Sequence, residues 1–114
     1  APIPVQIDVL PGESANVIRL QPNRMITVAV LSGAGFDARN VDPVSVVFGP
    51  GLGKETHSRG HWEDANGDGL IDLVLHFRCG ETGIQPGETS VNLYGRLLNG
   101  EIIAGSDTIT AVSK

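Results

Sequence analysis

The sequence predicts an all-β domain, and three observations carry that prediction. Fifteen glycines and seven prolines punctuate the chain between short runs rich in β-branched residues. Turn signals recur about every 8–12 residues. Nearly every apolar segment either alternates with period two or is a short continuous run, the two patterns of half-buried and fully buried strands. Together these point to about eight or nine strands and little helix, in a single-domain β-sandwich of jelly-roll or Ig-like kind over residues 1–114. No internal repeat of fixed period is present, which disfavours a solenoid or a propeller.

Each element can be justified in order. Residues 3–10 set Val5, Ile7 and Val9 against Gln6 and Asp8, and Pro11-Gly12 stops the run. Residues 16–20 form a short strand ended by Pro22-Asn23. Residues 25–31 are apolar except for Thr27, as in a central strand covered on both faces, and Gly33-Ala34-Gly35 closes them. Residues 36–43 read as a folded connection whose Phe36 and Val41 plug the core. Residues 44–48 give a further strand, followed by the glycine-rich turn 49–53, and residues 54–62 are extended. Residues 71–78 place Ile71, Leu73, Leu75 and Phe77 on one face and Asp72, His76 and Arg78 on the other, with Val74 as the exception. After turns at 80–83 and 85–88, residues 90–98 alternate Val91, Leu93 and Gly95 against Asn92, Tyr94 and Arg96. Asn99-Gly100 is the signature of a two-residue hairpin. Residues 101–104 return from it, and 108–112 make the last strand. Only Phe36, Phe48, Trp62, Phe77 and Tyr94 are aromatic, so aliphatic side chains must fill the core.

Composition narrows the function. A net charge of −5 argues against nucleic acid or an anionic membrane surface as partner. No stretch approaches the ~18 apolar residues of a membrane span. The chain opens at Ala1 without a Met, which fits a mature secreted product and equally a trimmed chain. Its single cysteine, Cys79, has no internal partner for a disulfide and reads as a small buried apolar residue.

The most specific chemistry lies in Asp64-Ala-Asn66-Gly-Asp68-Gly69-Leu70-Ile-Asp72. A hard cation such as Ca²⁺ takes oxygen ligands, and a short loop supplies them only by curling its backbone around the ion. Asp64, Asn66 and Asp68 fall at alternate positions that point inward, and Gly69 stands where the bend tolerates no Cβ. Leu70 offers its carbonyl and Asp72 another carboxylate. Where an EF-hand places a bidentate Glu, this chain has Leu75, so a helix-flanked loop is disfavoured and Asp72 becomes the candidate bidentate ligand. Without a cation the clustered acidic groups would repel one another.

This stretch resembles the DxNxDGxxD calcium loops of integrin-type propeller repeats and, less closely, those of dockerins. The resemblance covers only the loop and implies Ca²⁺ held by Asp64, Asn66, Asp68 and Asp72, without implying the fold. More broadly the chain is similar to a module of secreted bacterial and archaeal surface proteins. The shared features are Ile7-Asp8 with Pro11-Gly12, Val28-Ala29-Val30-Leu31, Phe36-Asp37 with Val41-Asp42-Pro43, His57-Ser-Arg59-Gly60-His61 before the loop, and Gly105-Ser-Asp107. That likeness implies an extracellular or cell-surface location, where calcium is abundant, and a dependence on calcium.

Catalysis is not expected. His57, His61 and His76 with Glu63 could be drawn as a zinc site, but the H-x₃-H spacing is loose off a helix, and hydrogen bonds bracing the calcium loop are the preferred reading. Asp37 and Asp42 sit where aspartates cap and turn. Cys79 near His76 or His61 lacks an orienting third group, and no nucleophile elbow or phosphate-cradling loop is present. The expected role is a calcium-stabilised extracellular structural subunit, self-associating into a filament or surface layer by adding residues 1–10 to a neighbour's sheet. Pairing of that strand within its own domain is the plainer expectation. The alternative role is a carbohydrate-binding or adhesive module, for which only Trp62 and Tyr94 are plausible aromatic platforms.

Overall fold

The computed structural model describes residues 3–10, 17–20, 24–33, 36–55, 60–65, 67 and 69–112. Within these the chain is mostly β, with strands β1 (Ile3–Pro4), β2 (Gln6–Val9), β3 (Val17–Arg19), β4 (Met25–Leu31), β5 (Val41–Phe48) and β6 (Gly53–Lys54). They continue with β7 (His61–Glu63), β8 (Asp72–Arg78), β9 (Ser90–Leu97), β10 (Ile102–Thr108) and β11 (Thr110–Val112). A 3-10 turn, Ala38–Asn40, and a single helical turn, α1 (Cys79–Thr82), complete the described elements.

The strands form a five-stranded sheet ordered β1-β10-β9-β5-β6, a four-stranded sheet ordered β2-β4-β8-β7, and a two-stranded pair, β11-β3. Neighbours are antiparallel except β1 with β10 and β3 with β11, which run parallel. One sequence run therefore serves two sheets. At Val5, whose N–H reaches the Ala104 carbonyl at 2.9 Å, the chain leaves β10 and passes to β4. Ile109 marks the same kind of change between β10 and β11. Residues 3–9 thus find strand partners within their own chain.

A single hydrophobic cluster draws on all three sheets, through Val9, Val28, Val30, Leu73 and Leu75 of one, Val41, Val46, Leu93 and Ile103 of another, and Ile18 and Ala111 of the third. Phe48 of β5 and Phe77 of β8 stack with ring centroids 4.9 Å apart, joining the five- and four-stranded sheets directly. Burying each such ring stabilises the fold by about 1.5–3 kcal/mol. Cys79 is buried and unpaired in this core. Val41 is buried, and Phe36 packs against the cluster from its edge. Ala38, between them in sequence, is fully buried as well.

Several local expectations change. β8 begins at Asp72, so Ile71 stays 39% exposed while Asp72 and Val74 turn inward. The alternation fails because Asp72, Leu73, Val74 and Leu75 are all buried, so this part of β8 is covered on both faces. β5 starts three residues earlier than its apolar run, at Val41, with a register shift between Asp42 and Val47 that accommodates Pro43. β10 continues to Thr108 although Gly105-Ser-Asp107 carries no apolar pattern. The β9–β10 connection is not a two-residue hairpin. Gly100 alone has positive φ, at 93°, while Gly100 N–H bonds Leu97 O and Leu97 N–H bonds Glu101 O. That is a three-residue loop closing on a glycine bulge, because a two-residue type I′ turn would need positive φ at Asn99 as well.

Residues 80–83 close not as a simple turn but as α1, ended by Gly83 in the left-handed region. The glycines of 49–53 exist for this contact. Gly51 N–H donates to Thr82 O at 2.7 Å, and a Cβ on Gly51 would stand 2.9 Å from Glu81 O.

Candidate metal centre

β7 and β8 pair antiparallel with Glu63 opposite Asp72, so residues 64–71 are the connection of a hairpin. Asp64 opens it. Its Oδ1 accepts the Gly67 N–H and its Oδ2 the Gly69 N–H, both at 2.8 Å. Two successive left-handed glycines, Gly67 at φ 76° and Gly69 at φ 85°, let the backbone curl so that both N–H groups point at one carboxylate. Sequence reasoning singled out Gly69 for this bend; Gly67 shares it.

Asp72 closes the loop from the first position of β8 and is completely buried. Its Oδ1 accepts the Ser32 N–H at 2.8 Å and its Oδ2 the Ala65 N–H at 2.9 Å. Ser32 adds to the tie, its hydroxyl donating to Ile71 O at 2.5 Å and accepting the Ala38 N–H at 2.8 Å. The loop is therefore anchored to the end of β4 and to the 3-10 turn. Ser32 went unnoticed in the sequence because only the tertiary pairing of β4 with β8 brings residues 40 positions apart together.

Of the five expected ligands, Asp64 and Asp72 stand at the two ends of the connection, and the Leu70 backbone lies within it. Asn66 and Asp68 lie outside the described residues. Among the described residues no three His, Cys, Asp or Glu side chains come together as a metal-binding group. The donor chemistry of the full set is oxygen alone, which suits Ca²⁺ and not the softer metals that prefer nitrogen and sulfur. Each carboxylate oxygen already receiving an N–H keeps a second lone pair, so those hydrogen bonds leave capacity for a cation.

The histidines adjoin this hairpin. The His61 and His76 rings stack with centroids 5.5 Å apart. His61 Nε2 lies 2.8 Å from Glu63 Oε1, and the His76 backbone N–H donates to Glu55 Oε2 at 3.0 Å. His57 lies outside the described residues. Glu55 is a buried carboxylate with no signal in the sequence to mark it, since it sits in a polar stretch. Asp37 caps the 3-10 turn by accepting the Arg39 N–H, and the Arg39 side-chain hydrogen bonds hold its carboxyl below the ordinary Asp range. Asp42 likewise accepts the Val44 N–H. Trp62 and Tyr94 are both about two-fifths exposed, at 42% and 41%, but belong to different sheets.

Comparison of the chain with protein-family models, curated proteins and solved structures gives no match. No helix among the described residues is long and apolar enough to cross a membrane.

Proposed function

We propose that the 64–72 connection binds Ca²⁺ and that the chain is a calcium-stabilised β-sandwich module of an extracellular or cell-surface protein, with a structural and non-catalytic role. The observation that carries this reading is the pair Asp64 and Asp72. One curls the loop about its carboxylate, and the other enters it from a buried strand position while anchoring it to β4. In the proposal Asp64, Asn66, Asp68 and Asp72 supply side-chain oxygens and Leu70 its carbonyl. The ion supplies positive charge that relieves carboxylate repulsion and locks a loop otherwise held by backbone hydrogen bonds. Residues 3–9 already complete two sheets of their own chain, so the proposal keeps the structural role without relying on strand donation to a neighbour.

The test is thermal unfolding with calcium and with chelator. An ion that binds only the folded state adds RT ln(1 + [L]/Kd), about 1–3 kcal/mol at 10- to 100-fold excess over Kd. A melting point that rises with Ca²⁺ and no longer does so in Asp68→Ala is expected. Identical melts with and without chelator would remove the basis of the reading.

A further inference from the structure

We propose that the outer face of the five-stranded sheet, centred on Tyr94, binds a neutral polysaccharide. β9 alternates strictly, burying Val91, Leu93 and Gly95 and presenting Asn92, Tyr94 and Arg96 to solvent. The register sets Pro4, Ala104, Tyr94 and Val47 in one row that ends at Lys54 on β6, so the ring stands between short apolar side chains with a lysine at the far edge. Asn92 and Ser106 form the next row.

Concavities lie on both sides of this ring. On the β1 and β10 side is a groove of about 490 Å³ reaching Gln6, Ser106 and Asp107, and on the other a hollow of about 290 Å³ reaching Pro50, Leu52 and Glu88. Asn92 and Tyr94 line both. A ligand crossing β9 would therefore meet an aromatic ridge with a subsite before it and another after it, the arrangement for consecutive units of a chain.

The chemistry of the lining selects the ligand. A sugar ring offers an apolar C–H face to an aromatic ring and hydroxyls that both donate and accept. The Gln6 and Asn92 amides and the Ser106 and Tyr94 hydroxyls do both in return. Among the described residues no lysine or arginine lines either concavity, where the ionisable acids are Asp107 and Glu88, which disfavours an anionic ligand seated in them; Lys54 and Arg96 stand on the same face outside both, and alginate tests their pull. Asp107 is already committed to the Val9 and Thr108 N–H groups, at 3.0 and 2.9 Å, so it shapes the groove wall. Trp62, on β7 of the other sheet, takes no part.

The experiment is affinity electrophoresis of the full chain in calcium through gels containing hydroxyethylcellulose, soluble xylan or glycol chitin, with alginate as the anionic control. Retardation by at least one neutral polymer and none by alginate is expected. Tyr94→Ala should weaken it at least tenfold, Tyr94→Phe and Trp62→Ala less than twofold, and Asn92→Ala severalfold. An unchanged melting point in Tyr94→Ala separates loss of the platform from misfolding, and Tyr94→Phe, which keeps the ring, provides the same control if it does not. Free passage through all three neutral gels, equal retardation of wild type and Tyr94→Ala, or a stronger effect of alginate overturns the proposal. So does a dimer in the absence of sugar that Tyr94→Ala converts to monomer, because the face would then bind a second copy.

Discussion

The buried carboxylate of Asp72 reaches from β8 to the backbone N–H of Ser32 at the end of β4, 2.8 Å away, while its other oxygen holds the N–H of Ala65. One side chain thus fixes the calcium-loop candidate to the centre of the four-stranded sheet. Charge-assisted hydrogen bonds from buried backbone donors are among the stronger ones in a protein.

Replacing Asp72 by Asn should expose that dependence without any change in size. The amide keeps one acceptor oxygen, and its NH₂ group must face either Ser32 N–H or Ala65 N–H, leaving a donor without an acceptor. The expected loss is about 1–3 kcal/mol, read from urea unfolding in the presence of chelator so that ion binding does not contribute. Stability equal to wild type under those conditions would show that the two hydrogen bonds contribute nothing net.

Gly69→Val tests the bend independently. Among the described residues nothing lies within 4 Å of a Cβ placed on Gly69, so the expected cost comes from a β-branched residue forced to φ near 85°. A loss of roughly 1–2 kcal/mol is expected, together with weaker calcium binding by calorimetry. Gly67→Ala, at φ 76°, should follow in the same direction.

Gly51→Ala tests close approach. Its added Cβ would meet Glu81 O at 2.9 Å and Gly83 N at 3.0 Å, all backbone, so the 49–53 turn must move off α1. The expected cost is about 1–3 kcal/mol. Thermal melts should fall by about 4–8 °C for each kcal/mol lost.

Acid titration tests Asp8. Burial first, and then the neighbouring Asp107 carboxylate, raise its pKa above the ordinary 3.8. A carboxyl with a higher pKa in the folded state binds its proton more tightly there, so ionising it opposes folding. Its contribution is most favourable below the ordinary Asp value and declines as pH rises through the folded value. Asp8→Asn should therefore raise the melting point at pH 7 and leave it unchanged at pH 3. A gain confined to acid would reverse the sign of this argument.

The sequence was most legible where one physical signal dominated. The run 25–31 and strand β4 coincide, and the strict alternation of 90–97 reappears as the burial of Val91, Leu93 and Gly95. Asp64 and Asp72 were legible as loop residues because oxygen donors at fixed spacing around glycine carry a chemical meaning. What was not legible depends on partners far along the chain. Ile71 looks like a core residue until Asp72 is seen turning inward toward Ser32. Glu55 looks like a surface acid until β8 covers it and takes its carboxylate at the His76 N–H. The glycines of 49–53 look like a flexible turn, yet their spacing answers to α1, thirty residues later.

The two parallel pairings, β1 with β10 and β3 with β11, have a mechanical consequence. Tension applied between residue 3 and residue 112 would slide these neighbours lengthwise past each other, loading their hydrogen bonds together instead of peeling them one at a time. A pull on those two residues would in this way be resisted by whole rows of hydrogen bonds acting at once.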